Sequence, residues 1–203
     1  MEIINCKLQI DKCIKENLCF PEISNIQQRG IADKIEKHCN EIIMSNFRDV
    51  SMASTRISIE DVSVGRILVD HKTSDRSLKF NMPNLISVNR LIKLIQKDIS
   101  FIINFVLYDS SEELIINNFS LSIYELNWDH LAIQNLGTGQ LQIKKVIKFL
   151  GSPVGNLSQQ AWQEKFMIEC VRFYDRLVGK TNKRKKKYGK FIEKTAKCDI
   201  III

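Results

Sequence analysis

Two runs of β-branched or alternating side chains, Arg56 to Val64 and Ile67 to Thr73, are separated only by Gly65 and Arg66, and no other feature constrains the chain as strongly. A two-residue link makes the runs fold back as a β-hairpin. Glycine at the first turn position accepts a positive φ without a Cβ clash, which suits a type II′ turn. Counting outward from the turn sets Val64 against Ile67, Ser63 against Leu68, Val62 against Val69 and Asp61 against Asp70. Two acids then face each other with Cβ atoms about 5 Å apart, and like charges so placed repel. Lys72 shares the strand face of Asp70, while His71 points to the other face.

A pair of carboxylates in this position asks for a compensating cation. Hard divalent ions such as magnesium are held by one or two carboxylates and keep water in the rest of their shell. With a lysine beside it, such an ion suits phosphodiester hydrolysis, because the metal offsets charge that grows on the scissile phosphate. The lysine either orients the attacking water or stabilises the transition state, and both roles stay open. The plain alternative is a surface hairpin whose Glu60, Asp61, Asp70 and Lys72 neutralise one another. Spacing alone does not separate the two readings.

The surrounding pattern is helices, then strands, then a helix. Ile31, Ile35, Cys39 and Ile42 share one face of a helix expected over about Ser24 to Asn46, with Glu36 at the margin of that face. After Pro83, the stripe Leu85, Val88, Leu91, Ile92 and Ile95 predicts an amphipathic crossover helix. Ile99 to Tyr108 is an almost unbroken apolar run, as expected of a strand covered on both faces. Glu113 to Leu126 predicts a further strand or bent pair. Trp162, Phe166, Cys170, Phe173 and Leu177 mark a long helix that Gly179 is placed to end. The expected fold is α/β, a mixed β-sheet flanked by helices, in one domain spanning residues 1–203. No repeat or low-complexity linker divides it.

Composition enters through charge. The formal net charge is +7, yet Lys183, Arg184, Lys185, Lys186, Lys187 and Lys190 alone carry six positives, so the basicity is local to a carboxy-terminal segment over 181–195. Such a run favours a polyanion, although a solvated charged face is the commoner meaning of any one run. The six cysteines, at positions 6, 13, 19, 39, 170 and 198, lack the paired spacing of a structural zinc site and read as reduced structural thiols. The amino-terminal residues lack the basic start and apolar stretch of a secretory signal, and no run approaches a membrane span, so an intracellular, cytoplasmic protein without membrane contact is expected. His38, His71 and His130 are too scattered for a zinc hydrolase. No phosphate-binding glycine loop is present, so no nucleotide cofactor is expected. Serine or cysteine nucleophiles lack a visible elbow or base.

The segment Ile59-Glu60-Asp61 followed by Val69-Asp70-His71-Lys72-Thr73 resembles the active-site hairpin of type II restriction endonucleases in the PD-(D/E)xK superfamily. There, an acid on one strand precedes Asp-x-Lys on the next, and the likeness in pattern order spans roughly Ile31 to Tyr124. It implies a restriction-endonuclease-like core and a magnesium-dependent endodeoxyribonuclease, with manganese as a substitute ion. By position, Asp61 and Asp70 are the metal ligands and Lys72 is the catalytic cation. Asp49 is the alternative upstream acid. Glu36 matches the glutamate that many members bring from the amino-terminal helix, and a homodimer acting on a palindromic duplex is implied.

For base reading, amides suit adenine and cations suit guanine. Asn81, Asn84, Gln134, Asn135, Thr138, Gln140, Gln142 and Lys144 are the candidates, with an ordinary polar loop as the competing meaning. Lys183, Arg184, Lys185, Lys186 and Lys187 are expected at phosphates. Thr73 to Asp75 and Phe80 to Leu85 are expected to line the DNA cleft. The rival functions are a repair or structure-specific nuclease of the same chemistry and a non-catalytic nucleic-acid-binding module.

Overall fold

The structure, a computed structural model, describes residues 2–22, 28–52, 61–78, 84–134 and 139–199, with side chains at all of these except 28, 29 and 187–199. It divides into two compact units, Met1–Gln163 and Glu164–Ile203.

In the first unit, two helices, α1 (Ile3–Asn17) and α2 (Gln28–Asn46), precede a hairpin and the strands that follow it. Strands β1 (Val50–Met52), β2 (Val62–Val64), β3 (Ile67–Asp75), β5 (Ser100–Asp109) and β6 (Leu114–Ser122) form a sheet in the order β1-β2-β3-β5-β6. Every neighbouring pair is antiparallel except β3 and β5. That parallel pair needs a crossover. It is made through a short strand, β4 (Asn84–Ser87), and a helix, α3 (Val88–Gln96). The fold is therefore α/β, with a mixed sheet flanked by helices.

The hairpin pairs as the turn demands: Val64 faces Ile67, Ser63 faces Leu68 and Val62 faces Val69. Gly65 has φ +59°, the conformation for which glycine is suited. β5 is buried along almost its whole length between β3 and β6, as its continuous apolar run predicts. One sheet face carries Val69, Ile102 and Val106 under the apolar sides of α1 and α2. Cys6, Cys13 and Cys39 sit in this core as free thiols, and burial pushes Cys6 and Cys13 up to about 11. On the other face Phe105 packs on Phe119 and on Phe149 of α4 (Val146–Gly151).

A second sheet, in the order β4-β8-β7, adds β7 (Leu131–Gln134) and β8 (Gln140–Ile143). Its Leu131, Ile133, Leu141, Ile143 and Ile86 are buried, while Asn84, Gln134, Gln140 and Gln142 at alternate positions carry amides.

Three expectations are corrected. Leu85 is not on the crossover helix but in β4, because Ser87 accepts the Arg90 N–H and starts α3 only at Val88. The buried stripe of α3 is Val88, Leu91 and Leu94. Gly179 does not end the last helix, α5 (Gln159–Asp199), which runs through it into a lysine-rich sequence of good helix formers. Thr73, Ser74 and Asp75 do not line a cleft; they are buried because β3 continues beside β5 as far as Asp75. Asp75 there accepts from the Ser77 and Ser110 amides and the Ser110 hydroxyl. The Ile200 to Ile203 run lies outside the described residues.

Candidate active site

Strand parity puts Asp70 and Lys72 on one face of β3, and the Lys72 Nζ lies 2.5 Å from Asp70 Oδ2. Their partners across the parallel ladder are Ile103 and Phe105, both fully buried, so the ion pair stands on apolar ground. The side chains retain 9% exposure at Asp70 and 16% at Lys72, which leaves the pair a narrow opening to solvent.

Asp61 reaches the same place by a different route from the one register alone suggests. It lies just before β2, and its N–H donates to the carbonyl of Val69, the residue that already faces Val62. Its side chain turns into the plane of the sheet, where Oδ2 accepts the His71 backbone N–H at 2.6 Å. The acids are thus not a simple facing pair: Asp61 closes the edge of β3 at the point where β2 departs, within electrostatic reach of Asp70. Glu36 comes from α2 on the opposite sheet face, its Oε1 accepting the Thr73 hydroxyl at 3.3 Å. The strand edge is where the two faces meet, and so Asp61 acts on Glu36 as well as on Asp70.

The charges respond accordingly. A carboxylate 2.5 Å from an ammonium is ordinarily held low. Here burial wins, and with Asp61 and Glu36 adding to the rise, Asp70 is pushed up to about 7 against the pull of Lys72. Burial likewise pushes Glu36 up to about 7, helped by the charge of Asp61 and opposed by Lys72 and the Thr73 hydroxyl. Burial alone would lower the Lys72 ammonium, but Asp70, Glu36 and Asp61 outweigh it and hold it above the usual lysine value. The cluster contains three acids for one lysine.

His71 points away, as parity requires. It is fully buried, its Nδ1 3.1 Å from Asn104 Oδ1, and Asn104 Nδ2 donates to the Ser120 hydroxyl at 3.0 Å. Burial lowers its pKa, so this polar row crosses three strands as a neutral brace under Asp70 and Lys72.

Among the described residues no three His, Cys, Asp or Glu side chains converge closely enough to enclose a metal. What they offer is two hard carboxylates, Asp61 and Asp70, each with an oxygen outside the bonds named above, beside excess negative charge. That donor set fits magnesium, which is content with one or two carboxylates and water, and does not fit a zinc or calcium cage. Asp49 is remote from it. Its carbonyl accepts the Gly65 N–H at the turn end of the hairpin, beside a cavity of about 650 Å³ lined by Arg48 and Arg66.

The remaining candidates divide. Asn84 pairs with Gln142, whose Nε2 donates to Asn84 Oδ1, and Gln140 pairs with Gln134, so four amides share one face of the second sheet. Lys144 follows, exposed, directly after β8. Asn81, Asn135 and Thr138 lie outside the described residues. Lys183, Arg184, Lys185 and Lys186 are exposed on α5, and Lys187 lies in the same helix. Asn104 was not legible as a site residue from the sequence, and Thr73 was expected to line the DNA cleft, not to meet Glu36. Period two does put Thr73 on the face toward α2, but nothing local announces its pairing with a residue 37 positions away. A scan of protein-family models finds none that matches this chain, and a search of curated proteins finds no relative.

Proposed function

We propose that the chain is a divalent-metal-dependent endodeoxyribonuclease with a restriction-endonuclease-like core, cutting double-stranded DNA at a specific, palindromic site. The observation that carries this reading is the meeting of Asp61, Asp70, Glu36 and Lys72 at one strand edge. A structural ion pair needs one acid and one base. Three acids around one lysine leave negative charge in a site shielded from water, which an added cation relieves.

Asp61 and Asp70 would hold magnesium, or manganese in its place, and the ion when bound supplies Lewis acidity toward a phosphoryl oxygen. The chain's own residues do the rest. Lys72, held cationic by its acids, meets the negative charge that grows on the pentacovalent phosphorus. Glu36, with a pKa near neutrality, accepts the proton of the attacking water, and the Thr73 hydroxyl orients its carboxyl. The water oxygen bonds to phosphorus as the bond to the leaving sugar oxygen breaks, and that oxygen takes a proton from solvent. His71 and Asn104 brace β3 without touching substrate.

The amide face of Asn84, Gln142, Gln140 and Gln134 supports base reading, since a carboxamide presents the donor and acceptor that match an adenine edge. The basic stretch from Lys183 supports phosphate contact. Two copies related by a two-fold axis would address the two strands.

Supercoiled plasmid with magnesium or manganese tests this. Wild type yields discrete fragments, while Asp70→Ala yields none but still retards DNA on a gel. A smear without discrete bands favours the structure-specific or repair nuclease. Intact plasmid with both ions removes the enzyme and leaves the binding module.

A further inference from the structure

We infer that the cavity at the turn end of the hairpin binds a phosphodiester, held between Arg48 and Arg66 and apart from the Asp61–Asp70–Lys72 cluster. Its volume is about 650 Å³, and its walls come from three segments: Gln9 on α1, Arg48 and Asp49 between α2 and β1, and Arg66 in the turn. Phe47, Val64 and Ile67, all buried, give it an apolar floor. The pairing of Val50 with Val64, carried one step further by the Gly65 N–H on the Asp49 carbonyl, lays the segment before β1 alongside the turn. Two arginines distant in sequence thereby share one cavity. Among the described residues neither has an ion-pair partner, although Asp49 lines the same space, whereas Arg76 and Arg172 are each paired with an acid. Like charges so placed repel, and an anion between them relieves the repulsion.

The charge of the cavity selects the kind of anion. Two guanidiniums against Asp49 leave one net positive charge, and the carboxy-terminal end of α2 beside Asn46 adds partial negative charge. A phosphodiester carries one negative charge and matches it; a phosphomonoester, at about −1.5 to −2, overshoots. A guanidinium fork suits phosphate oxygens, and the floor takes the apolar side of a sugar or base. Position points to a nucleic-acid strand. Ile67 is three residues from Asp70 along β3, about 10 Å, and Phe47 is eleven residues from Glu36 along α2 and its last turn, about 17 Å. Phosphates of one strand recur about every 3.4 Å along a duplex, so the bound one lies about three to five nucleotides from the bond proposed to be cut. This spacing rests on the nuclease reading; the anion site does not.

Fluorescence anisotropy of a labelled DNA duplex in EDTA tests the site without cleavage. Arg48→Gln and Arg66→Gln, which alter only exposed side chains, should each weaken binding about tenfold, equally on any sequence. The double variant should be little weaker than either, because both arginines serve one phosphate. Its slope of log affinity against log salt should be shallower by about 0.9. Lys12→Gln with Lys15→Gln, removing the same charge from exposed positions of α1, should stay within about twofold of wild type. An equal loss in that lysine pair overturns the site. Calorimetry with 3′,5′-cyclic adenosine monophosphate separates the other source of this chemistry: arginine-dependent binding of it with DNA affinity unchanged assigns the cavity to a free phosphodiester. Tighter binding of adenosine 5′-monophosphate overturns the diester, and no arginine-dependent binding of either DNA or cyclic nucleotide overturns the site. Arginine-insensitive binding by a chain that still cuts plasmid leaves the nuclease standing while this inference falls; arginine-dependent binding without cleavage does the reverse.

Discussion

Replacing Glu36 with glutamine should stabilise the metal-free protein at alkaline pH and do almost nothing at acid pH. The Glu36 carboxyl rises from 4.5 to about 7 on folding, chiefly through burial and then the charge of Asp61. Between those two values the folded chain binds a proton that the unfolded chain has released, so stability falls as pH rises through this window. Below about pH 4.5 both states are protonated and the penalty vanishes. Above pH 7 the folded state carries the ionised group at full cost. A shift of about 2.5 units at 1.4 kcal/mol each sets that cost at about 3 kcal/mol. Glutamine matches the shape and can still accept the Thr73 hydroxyl, but cannot ionise. Urea unfolding in EDTA at pH 8 and pH 4.5 is the assay. The variant should gain about 1–3 kcal/mol at pH 8 and under about 0.5 at pH 4.5, with equal m-values. Equal stability at pH 8, or the same gain at both pH values, would refute the charge-crowded site.

Magnesium should raise the melting temperature of wild type more at pH 8 than at pH 5.5, because protonated Asp70 and Glu36 no longer ask for a cation; scanning fluorimetry reads the difference. Asn104→Leu should cost about 1–3 kcal/mol in urea, since it strands His71 Nδ1 in the core. Gly179→Ala should stabilise by about 0.5–1 kcal/mol, because the position is helical and a Cβ there meets open space. Destabilisation would restore the glycine as a helix terminator.

What the sequence disclosed was local. The turn at Gly65 fixes three cross-strand pairs, and period two puts Lys72 with Asp70 and turns His71 away. The apolar run around Phe105 announces a strand buried on both faces. Parity could not disclose the direction of Asp61: β2 begins only at Val62, and an unpaired N–H on β3 captures the carboxylate. The desolvation of Asp70 was equally hidden, since it comes from Ile103 and Phe105, brought alongside by a parallel pairing more than 30 residues distant. Leu85 fits a helical stripe by spacing but lies before the serine cap that starts the helix. Gly179 carries a stop signal that its helix-forming neighbours override. Local pattern therefore found the acids and the lysine, while their protonation and orientation were decided by contacts between distant segments.

Counting bound manganese by electron paramagnetic resonance at pH 8 addresses the site most directly. Tight binding of one ion per chain, lost in Asp70→Asn and in Asp61→Asn, is the expected result. Uptake that ignores both substitutions, or none by the wild-type chain, would contradict a metal centre at this strand edge.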